Sequence, residues 1–363
     1  MGNTLLSKKM DRNNSAGMLI DAEDVPNECF VQIFHKLDKK TLLSCLLTCR
    51  RFEKLISSNS YFVEHAYLTK KSDVLPSLAW RRAAAQKTFA GNEDGAIDVS
   101  EFNFNIKQMV ISGRGYSPIT PLPISSFTNA RNNIIRGVLR TNDFSIHANA
   151  NGIQLELDGG HGCQHHPDVS KCLTFSYTAS SITVFIDLIN SGIDAWVLDY
   201  VRPKIRISQK ANHRHDCAAN LLFAAQLNYH EDQGIQHLDN RRMVGNINRR
   251  YKSIRKQWEQ WTENEWEDWV IELEDYPSGI RYLTVLNDGN DGLFWEGFYG
   301  PKIANLQIEV ILPEVPTVKA IAPEILAERS GVYELPRVSP NRYIMRIPPA
   351  IAREAVENEE DRM

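Results

Sequence analysis

The sequence predicts an α+β multidomain protein in which a small helical module precedes an antiparallel β-sandwich. From Asp24 to about Ile56, apolar residues recur at the spacing of one helix face. Beyond Phe127, short segments rich in β-branched and aromatic residues alternate with clusters of turn residues, as in an antiparallel sheet protein. The chain has 363 residues, 42% of them hydrophobic and 24% charged, which is enough to build two folded domains.

Composition and charge exclude several classes of function. A formal net charge of -4 and a pI near 6.2 give no general attraction for phosphate, so nucleic acid is not an expected partner. The six cysteines have no disulfide-framework spacing, and we expect reduced thiols. No apolar run approaches the roughly 18 residues of a transmembrane segment. Phosphate-loop and nucleophile motifs are absent from the sequence, so we expect neither catalysis nor a cofactor.

The helical module carries two successive apolar stripes. The first runs from Phe30 to Leu37, and the second begins at Leu42. Between them, Asp38 and Thr41 provide the start signal of a new helix. A module this small leaves apolar surface unburied, so we expect it to dock a partner.

Changes in composition divide the chain into five regions. They are a disordered polar tail at 1–20, the helical module at 21–65, a linker with short helices at 66–127, the β-sandwich at 128–312 with an insertion at 231–262, and a proline-rich tail at 313–363. The prolines at 117–123 predict an extended spacer, and the tail is expected to hold at most short helices, at 325–329 and 350–357. The insertion places basic residues beside Trp258 and Trp261, a combination that can bind nucleic acid or anionic surfaces, but a solvated helix packed on the sandwich is the favoured interpretation. A substrate contact is the alternative.

Two aromatic residues near the C-terminal end of the sandwich region form the main candidate site. Asn, Asp and Gly residues from Asn287 to Gly292 predict a turn-rich loop, and Phe294 and Trp295 follow directly. Loops at the ends of a sandwich are free to bind ligands, so the aromatic pair is a candidate binding platform. The alternative is that one of the pair, with Phe294 favoured, faces the core.

A cluster of soft ligands is interpreted as a polar loop and not as a metal site. The cluster consists of His161, Cys163, His165 and His166, with Cys172 nearby. Structural zinc needs about four such ligands in tetrahedral geometry. The spacing matches no zinc-finger pattern, so no metal is predicted.

A set of residues in the helical module carries a family resemblance. The residues are Val25-Pro26-Asn27-Glu28, Ile33, Leu37-Asp38, Leu42-Leu43, Cys49-Arg50-Arg51-Phe52 and Leu55. They resemble an F-box, with Val25 in place of the usual Leu and Phe52 in place of the usual Trp. The resemblance implies docking onto the Skp-type adaptor of a cullin-RING ubiquitin ligase. The implied adaptor-binding residues are Val25, Pro26, Ile33, Leu37, Leu42, Leu46 and Phe52.

A second set of residues lies in the β region. Those near its C-terminal end are Trp266, Tyr276-Pro277, Gly279-Ile280-Arg281, Asp288-Gly289, Asp291, Phe294-Trp295, Gly297 and Tyr299-Gly300-Pro301-Lys302. Earlier matches are Ile186-Asp187-Leu188, Leu198-Asp199 and Pro203. The set resembles the F-box-associated domain of the sugar-binding F-box proteins. The resemblance implies a β-sandwich of the galactose-binding-like jelly-roll type with ten strands.

This family suggests a function for the chain. Its sugar-binding members recognise the inner core of high-mannose N-glycans on misfolded glycoproteins from the endoplasmic reticulum and present them for ubiquitination. The resemblance therefore implies a non-catalytic substrate-recognition subunit in the cytoplasm, including the cytosolic face of the endoplasmic reticulum, with the nucleus left open. The implied glycan- or substrate-binding residues are Tyr177, Phe294, Trp295 and Glu296. The family's glycan binders carry Lys at the position of Glu296, so a receptor that reads a protein degron without binding glycan stays open.

Overall fold

A computed structural model describes residues 25–122, 133–141, 144–231 and 247–321. The helices are α1 (Asn27–Phe34), α2 (Lys39–Leu46), α3 (Arg50–Ile56), α4 (Asn59–Leu68), α5 (Leu78–Gln86), α6 (Ile106–Ser112) and α7 (Ile247–Arg250). The strands are β1 (Ile134–Arg140), β2 (Phe144–Glu156), β3 (Cys172–Thr174), β4 (Ser180–Asp187), β5 (Lys204–Asn212), β6 (Ala219–Asn228), β7 (Tyr251–Trp258), β8 (Glu267–Leu273), β9 (Tyr282–Asp291) and β10 (Lys302–Ile311). The predicted N-terminal tail and the predicted helices at 325–329 and 350–357 lie outside the described residues.

The ten strands form the antiparallel β-sandwich that the sequence predicts. Their order is β7-β6-β9-β4-β2-β3-β10-β5-β8, with β1 paired to β2. Strand β2 belongs to both layers, since residues 144–148 pair with β4 and residues 154–156 pair with β3. Gly152, between these halves, has a φ of 86°, and a Cβ there would lie 2.7 Å from the carbonyl oxygen of Ile135. A glycine is therefore needed where the strand passes from one layer to the other.

A pair of buried amide side chains joins the two layers. Gln209 of β5 and Asn287 of β9 exchange hydrogen bonds of 2.7 and 3.0 Å, and both are almost fully buried. Because each amide satisfies the other, the core holds these polar groups without leaving them unpaired. At the edge of the sandwich, the rings of Trp258 in β7 and Trp269 in β8 stack with centroids 5.7 Å apart.

The N-terminal helices pack around phenylalanines, as the apolar stripes predict. Phe52 of α3 contacts both Phe30 and Phe34 of α1, with ring centroids 5.0 Å apart in each case. Asp38 caps α2 by accepting hydrogen bonds from the backbone and hydroxyl of Thr41, at 3.0 and 2.7 Å. The start of α2 and the packing of α1 on α3 therefore follow from patterns in the sequence.

The described part of the predicted linker, residues 66–122, is packed against the sandwich instead of extending between two domains. Trp80 of α5 is 1% exposed, and its indole N–H donates to the carbonyl of Pro313 at 2.6 Å. Phe102 stacks on Trp196, with centroids 4.8 Å apart. The segment predicted as a spacer is extended, but it runs along the sheet, where Ile119 pairs with Ile308 of β10. These elements all belong to one compact unit that ends at Ala320.

Residues 232–246 of the insertion lie outside the described residues; over residues 251–262 the favoured interpretation as a helix is wrong. Residues 251–258 form strand β7, which pairs with β6 along its whole length, and the helix α7 before it has only four residues. Trp258 ends the strand and is 4% exposed. Lys and Arg residues have high helix propensity, but the hydrogen bonds to β6 and the burial of Trp258 outweigh that local preference.

Candidate functional site

The predicted aromatic pair lies in the connection between β9 and β10, residues 292–301, here called the aromatic loop. Asp291 ends β9 and is fully buried. Its carboxylate accepts a hydrogen bond from the backbone N–H of Leu293 at 2.9 Å and from that of Trp295 at 2.8 Å. One buried side chain thus fixes the backbone that carries the aromatic pair.

Both aromatic residues of this pair face solvent. Phe294 is 70% exposed and Trp295 is 47% exposed, so the interpretation that one of them faces the core is wrong. Phe294 has a φ of 58°, a left-handed conformation that is uncommon for a bulky residue. The rings of Trp295 and Tyr299 meet edge to face, with centroids 6.4 Å apart. Glu296 is exposed beside them.

The structure brings the fourth predicted residue, Tyr177, to the same loop. Tyr177 lies between β3 and β4, and its backbone N–H donates to the carbonyl of Gly297 at 3.1 Å. A second hydrogen bond joins the same two connections: the N–H of Gly300 donates to the carbonyl of Phe175 at 3.0 Å. A Cβ on Gly300 would lie 2.9 Å from that carbonyl oxygen, so this approach requires a glycine.

The Asn-Asp-Gly stretch before the aromatic pair is a strand and not the predicted loop. Residues 287–289 pair with both β4 and β6, and residues 290 and 291 pair with β6, so the stretch is the end of β9. A Cβ on Gly289 would lie 2.9 Å from the carbonyl oxygen of Asn220. Asn287 and Asp291 have buried roles within the sheet, described above. Turn-forming residue types therefore serve packing and hydrogen bonding here, and the loop starts only at Gly292.

Sequence reasoning missed a cation that lies against the aromatic loop. The guanidinium carbon of Arg214 is 4.9 Å from the centre of the Tyr299 ring. Arg214 also makes a bidentate pair with Asp216, at 2.9 and 2.8 Å, which lowers the pKa of Asp216 to about 2. Arg214 lies in a connection between two strands, and no local motif marks it as a neighbour of a loop some 80 residues later.

These groups are suited to binding, not to covalent chemistry. Exposed aromatic faces beside polar groups can pack on the C–H face of a sugar while hydroxyls are hydrogen-bonded. Burial raises the pKa of the nearby Cys163 to about 12, so this thiol stays protonated at neutral pH. Within the described residues, no group of three or more His, Cys, Asp or Glu side chains is placed to hold a metal ion.

The predicted adaptor-binding residues differ in accessibility. Ile33 is 52% exposed and Pro26 is also exposed. Leu42 is only 3% exposed, so its spacing reflects the helical core and not an accessible contact. Val25, Leu37, Leu46 and Phe52 are half-buried. The sequence also missed Leu47, which is 90% exposed directly after α2.

The N-terminal end of α1 is fixed by one arginine. Arg51 of α3 donates to the side chain of Asn27 at 3.0 Å and to the carbonyl of Val25 at 2.5 Å. Its guanidinium lies 4.9 Å from the centre of the Phe30 ring. This arrangement holds the exposed Pro26 at the surface of the helical module.

Comparison with protein families decides the identity of both regions. Residues 22–69 match the F-box-like family, and residues 132–310 match the F-box associated region. Together the two matches cover more than half of the chain. This chain is an F-box protein with an F-box associated region. These two regions support a substrate receptor of the SCF type.

Curated proteins similar to this F-box protein match it at low identity. F-box only protein 6 of Homo sapiens is 23% identical over 346 residues, which are 93% of this chain and 100% of that protein. The protein of the same name from Rattus norvegicus is 28% identical over 156 residues, 42% of this chain and 50% of that protein. F-box only protein 44 of Homo sapiens is 24% identical over 144 residues, 39% of this chain and 51% of that protein.

Solved structures with some likeness include carbohydrate-binding modules. A xylan-binding domain from Paenibacillus barcinonensis has a TM-score of 0.25 at 9% identity and covers 50% of this chain and 92% of its own. A family 11 module from Clostridium thermocellum, in complex with a mixed-linked tetrasaccharide, has a TM-score of 0.22 at 12% identity and covers 49% and 97%. These scores are too low for the ligands of those modules to be transferred to this F-box protein.

Three of the residues that carry the family resemblance, Asp199, Gly279 and Arg281, are joined by hydrogen bonds inside the sandwich domain of this F-box protein. The buried Asp199 forms a bidentate pair with Arg281, at 3.0 and 2.8 Å, and accepts the N–H of Gly279 at 2.7 Å.

None of the helices that the structure describes combines the length and apolar character that a membrane span requires.

Proposed function

We propose that this F-box protein is the substrate-recognition subunit of an SCF-type cullin-RING ubiquitin ligase and that its sandwich binds N-glycosylated misfolded proteins for ER-associated degradation. The helical module docks a Skp-type adaptor, and the aromatic loop binds the glycan. The protein acts in the cytoplasm, including the cytosolic face of the endoplasmic reticulum. Ubiquitin transfer is carried out by the ligase partners, while this subunit holds the substrate at high effective concentration.

The exposure of Phe294 and Trp295 is the observation that carries the proposal. Large apolar side chains at a surface lose the stabilisation of burial, and two adjacent ones on a fixed loop mark an interaction site. The buried carboxylate of Asp291 holds the loop backbone before any ligand arrives. A preformed platform loses little conformational entropy on binding.

The exposed carboxylate of Glu296 favours one alternative. A carboxylate accepts hydrogen bonds from sugar hydroxyls, but it also suits the N–H groups and cations of a polypeptide. In that case the same loop reads a protein degron, and the receptor needs no glycan.

Glycan binding is the decisive measurement. We expect the full-length protein to bind chitobiose-core and high-mannose glycans on an array and in titrations. Trp295→Ala should weaken this binding at least about tenfold, which is about 1.4 kcal/mol, because the stacking face is lost. Ile311→Ala is the matched control, since Ile311 is 40% exposed, against 47% for Trp295, and lies at the other end of β10.

The wild-type result separates the glycan proposal from its alternative. A wild-type protein that binds no glycan contradicts the glycan proposal and leaves the degron receptor. Glu296→Lys introduces the residue of the family's glycan binders. Binding gained only in that variant would identify Glu296 as the group that excludes sugar.

Adaptor docking is tested separately. Replacing the exposed Pro26 and Ile33 by Glu should abolish co-purification with the Skp adaptor, because charges would be buried in an apolar interface. Leu78→Asp is the matched control, since Leu78 is 50% exposed, outside the F-box-like match and in the first turn of α5, where an acid is tolerated. Adaptor binding that survives both charge substitutions would defeat the docking assignment.

A further inference from the structure

Two exposed aromatic residues share an unusual backbone conformation. Among the described non-glycine residues with left-handed φ, the aromatic ones are Phe294, at 58°, and Trp261, at 65°. Phe294 is 70% exposed and Trp261 is 64% exposed. A strained backbone persists only where the surrounding structure enforces it, and such residues cluster at ligand sites. Trp261 lies in the insertion, outside the aromatic loop.

Trp261 is held in place by the connection between β5 and β6. Its backbone N–H donates to the carbonyl of His215 at 2.8 Å, and its ring meets the His215 ring edge to face at 5.5 Å. The preceding Gln260 donates to the carbonyl of Asp216 at 2.9 Å. Nearby, the buried Trp258 stacks on His213 with centroids 5.4 Å apart. Two hydrogen bonds to the connection between β5 and β6 therefore fix the backbone that carries the exposed indole.

A chain of short contacts joins Trp261 to the aromatic loop. Trp261 contacts His215, whose neighbour Arg214 lies over the Tyr299 ring at 4.9 Å. The Tyr299 ring in turn meets Trp295 at 6.4 Å. These contacts place Trp261 at the same end of the sandwich as the predicted glycan site and link the two through His215 and Arg214.

We propose that Trp261 is a second sugar-binding platform, which stacks on residues of the same oligosaccharide beyond those held by the aromatic loop. This inference rests on the glycan-binding function proposed above and specifies its ligand as an extended oligosaccharide. Tryptophan offers a large rigid face for the C–H side of a pyranose at low entropic cost.

The groups between the two platforms match a hydroxyl-rich ligand. His215 is exposed, and its Nδ1 donates to the carbonyl of Thr262 at 3.0 Å, so Nε2 is the ring nitrogen that can meet a ligand hydroxyl. Arg214 uses two of its nitrogens on Asp216 and keeps further N–H donors. A peptide ligand would instead be expected to use a sheet edge or an apolar groove.

The test compares a short and a long ligand. Titrations of the full-length protein use chitobiose and a high-mannose glycan with the same chitobiose core. We expect Trp261→Gly to leave the affinity for chitobiose within about twofold and to weaken the high-mannose glycan about tenfold. Trp261→Phe should restore most of that loss because it keeps a stacking face. Trp295→Ala should weaken both ligands.

The choice of glycine separates binding from a structural role. Glycine adopts a left-handed φ without strain, so the melting temperature of Trp261→Gly should be unchanged or higher. A lower melting temperature or equal effects on both glycans would overturn the proposal. If wild type binds neither glycan, the proposed function fails and this inference fails with it. If wild type binds both in a Trp295-dependent way while Trp261→Gly has no effect, only this inference fails.

Discussion

At the scale of the residue, the geometry of the aromatic loop depends on Asp291. This carboxylate is fully buried and accepts the backbone N–H groups of Leu293 and Trp295. Without it, the backbone N–H groups of Leu293 and Trp295, on either side of the left-handed Phe294, would lose their partner. In the proposed function the exposed aromatic residues bind the glycan, and the buried carboxylate of Asp291 positions them.

We therefore expect Asp291→Ala to weaken glycan binding more than tenfold even though both aromatic side chains are present. The free energy of unfolding should fall by roughly 2–4 kcal/mol, because two hydrogen bonds to a charged group are lost. Titration calorimetry and urea unfolding measure the two effects. Asp291→Asn keeps one carbonyl acceptor and should fall between Ala and wild type. Unchanged glycan affinity in Asp291→Ala would show that the loop is positioned in another way.

At the scale of the element, β10 is joined to β2 and β3 by a buried ion pair. Lys302, the first residue of β10, is fully buried, and its ammonium lies 2.5 Å from Glu156 and 3.1 Å from Thr174. Glu156 also accepts the backbone N–H of His161 at 2.7 Å. Lys302 directly follows the aromatic loop in the chain. These contacts therefore anchor the C-terminal end of the loop to β2 and β3.

Lys302→Met should lower the free energy of unfolding by roughly 3–5 kcal/mol, because it leaves the Glu156 carboxylate buried without its cation. Adding Glu156→Gln removes that charge while keeping an acceptor for His161. The double variant should recover most of the loss, as measured by urea unfolding. Equal destabilisation in the single and double variants would mean that packing around Lys302, and not its charge, stabilises the junction.

At the scale of the whole molecule, buried histidines make stability depend on pH. Burial lowers the pKa values of His35 and His65 in the helical region and lowers that of His213 in the sandwich to about 4. Unfolded histidine titrates near 6.5. Above pH 6.5 the ring of His213 is neutral in both states, and its contribution to stability is complete. As the pH falls from 6.5 toward 4, the unfolded chain takes up the proton first, and stability is lost.

Protonation of His213 alone should therefore lower the free energy of unfolding by roughly 3 kcal/mol as the pH falls from 6.5 to 4, at about 1.4 kcal/mol for each unit of pKa. Urea unfolding at a series of pH values measures this loss. Carboxylates titrate in the same range, so the informative quantity is the difference between wild type and His213→Gln, which should shrink on acidification. A difference independent of pH would show that His213 is not the titrating group.

Local patterns in the sequence predicted part of the fold and of the site. The cap of α2 at Asp38 and the exposed pair Phe294 and Trp295 followed from residue types at fixed spacing. Leu42 had the right spacing for docking but is buried, because an apolar stripe does not distinguish core from interface. The local sequence favours a helix at residues 251–258, but they form strand β7, because their hydrogen-bond partners lie in β6, more than 20 residues earlier in the chain.

The sequence by itself determined the two regions, their family and the residues at the tip of the aromatic loop, because these depend on periodicity and on residue types close together along the chain. The tertiary structure alone decided which side chains surround that tip. Arg214 contacts Tyr299 of this loop from the connection between β5 and β6, and Trp261 is linked to the loop through His215 and Arg214, so residues far apart in sequence meet. Such contacts arise from the pairing and stacking of distant strands, which no local pattern encodes.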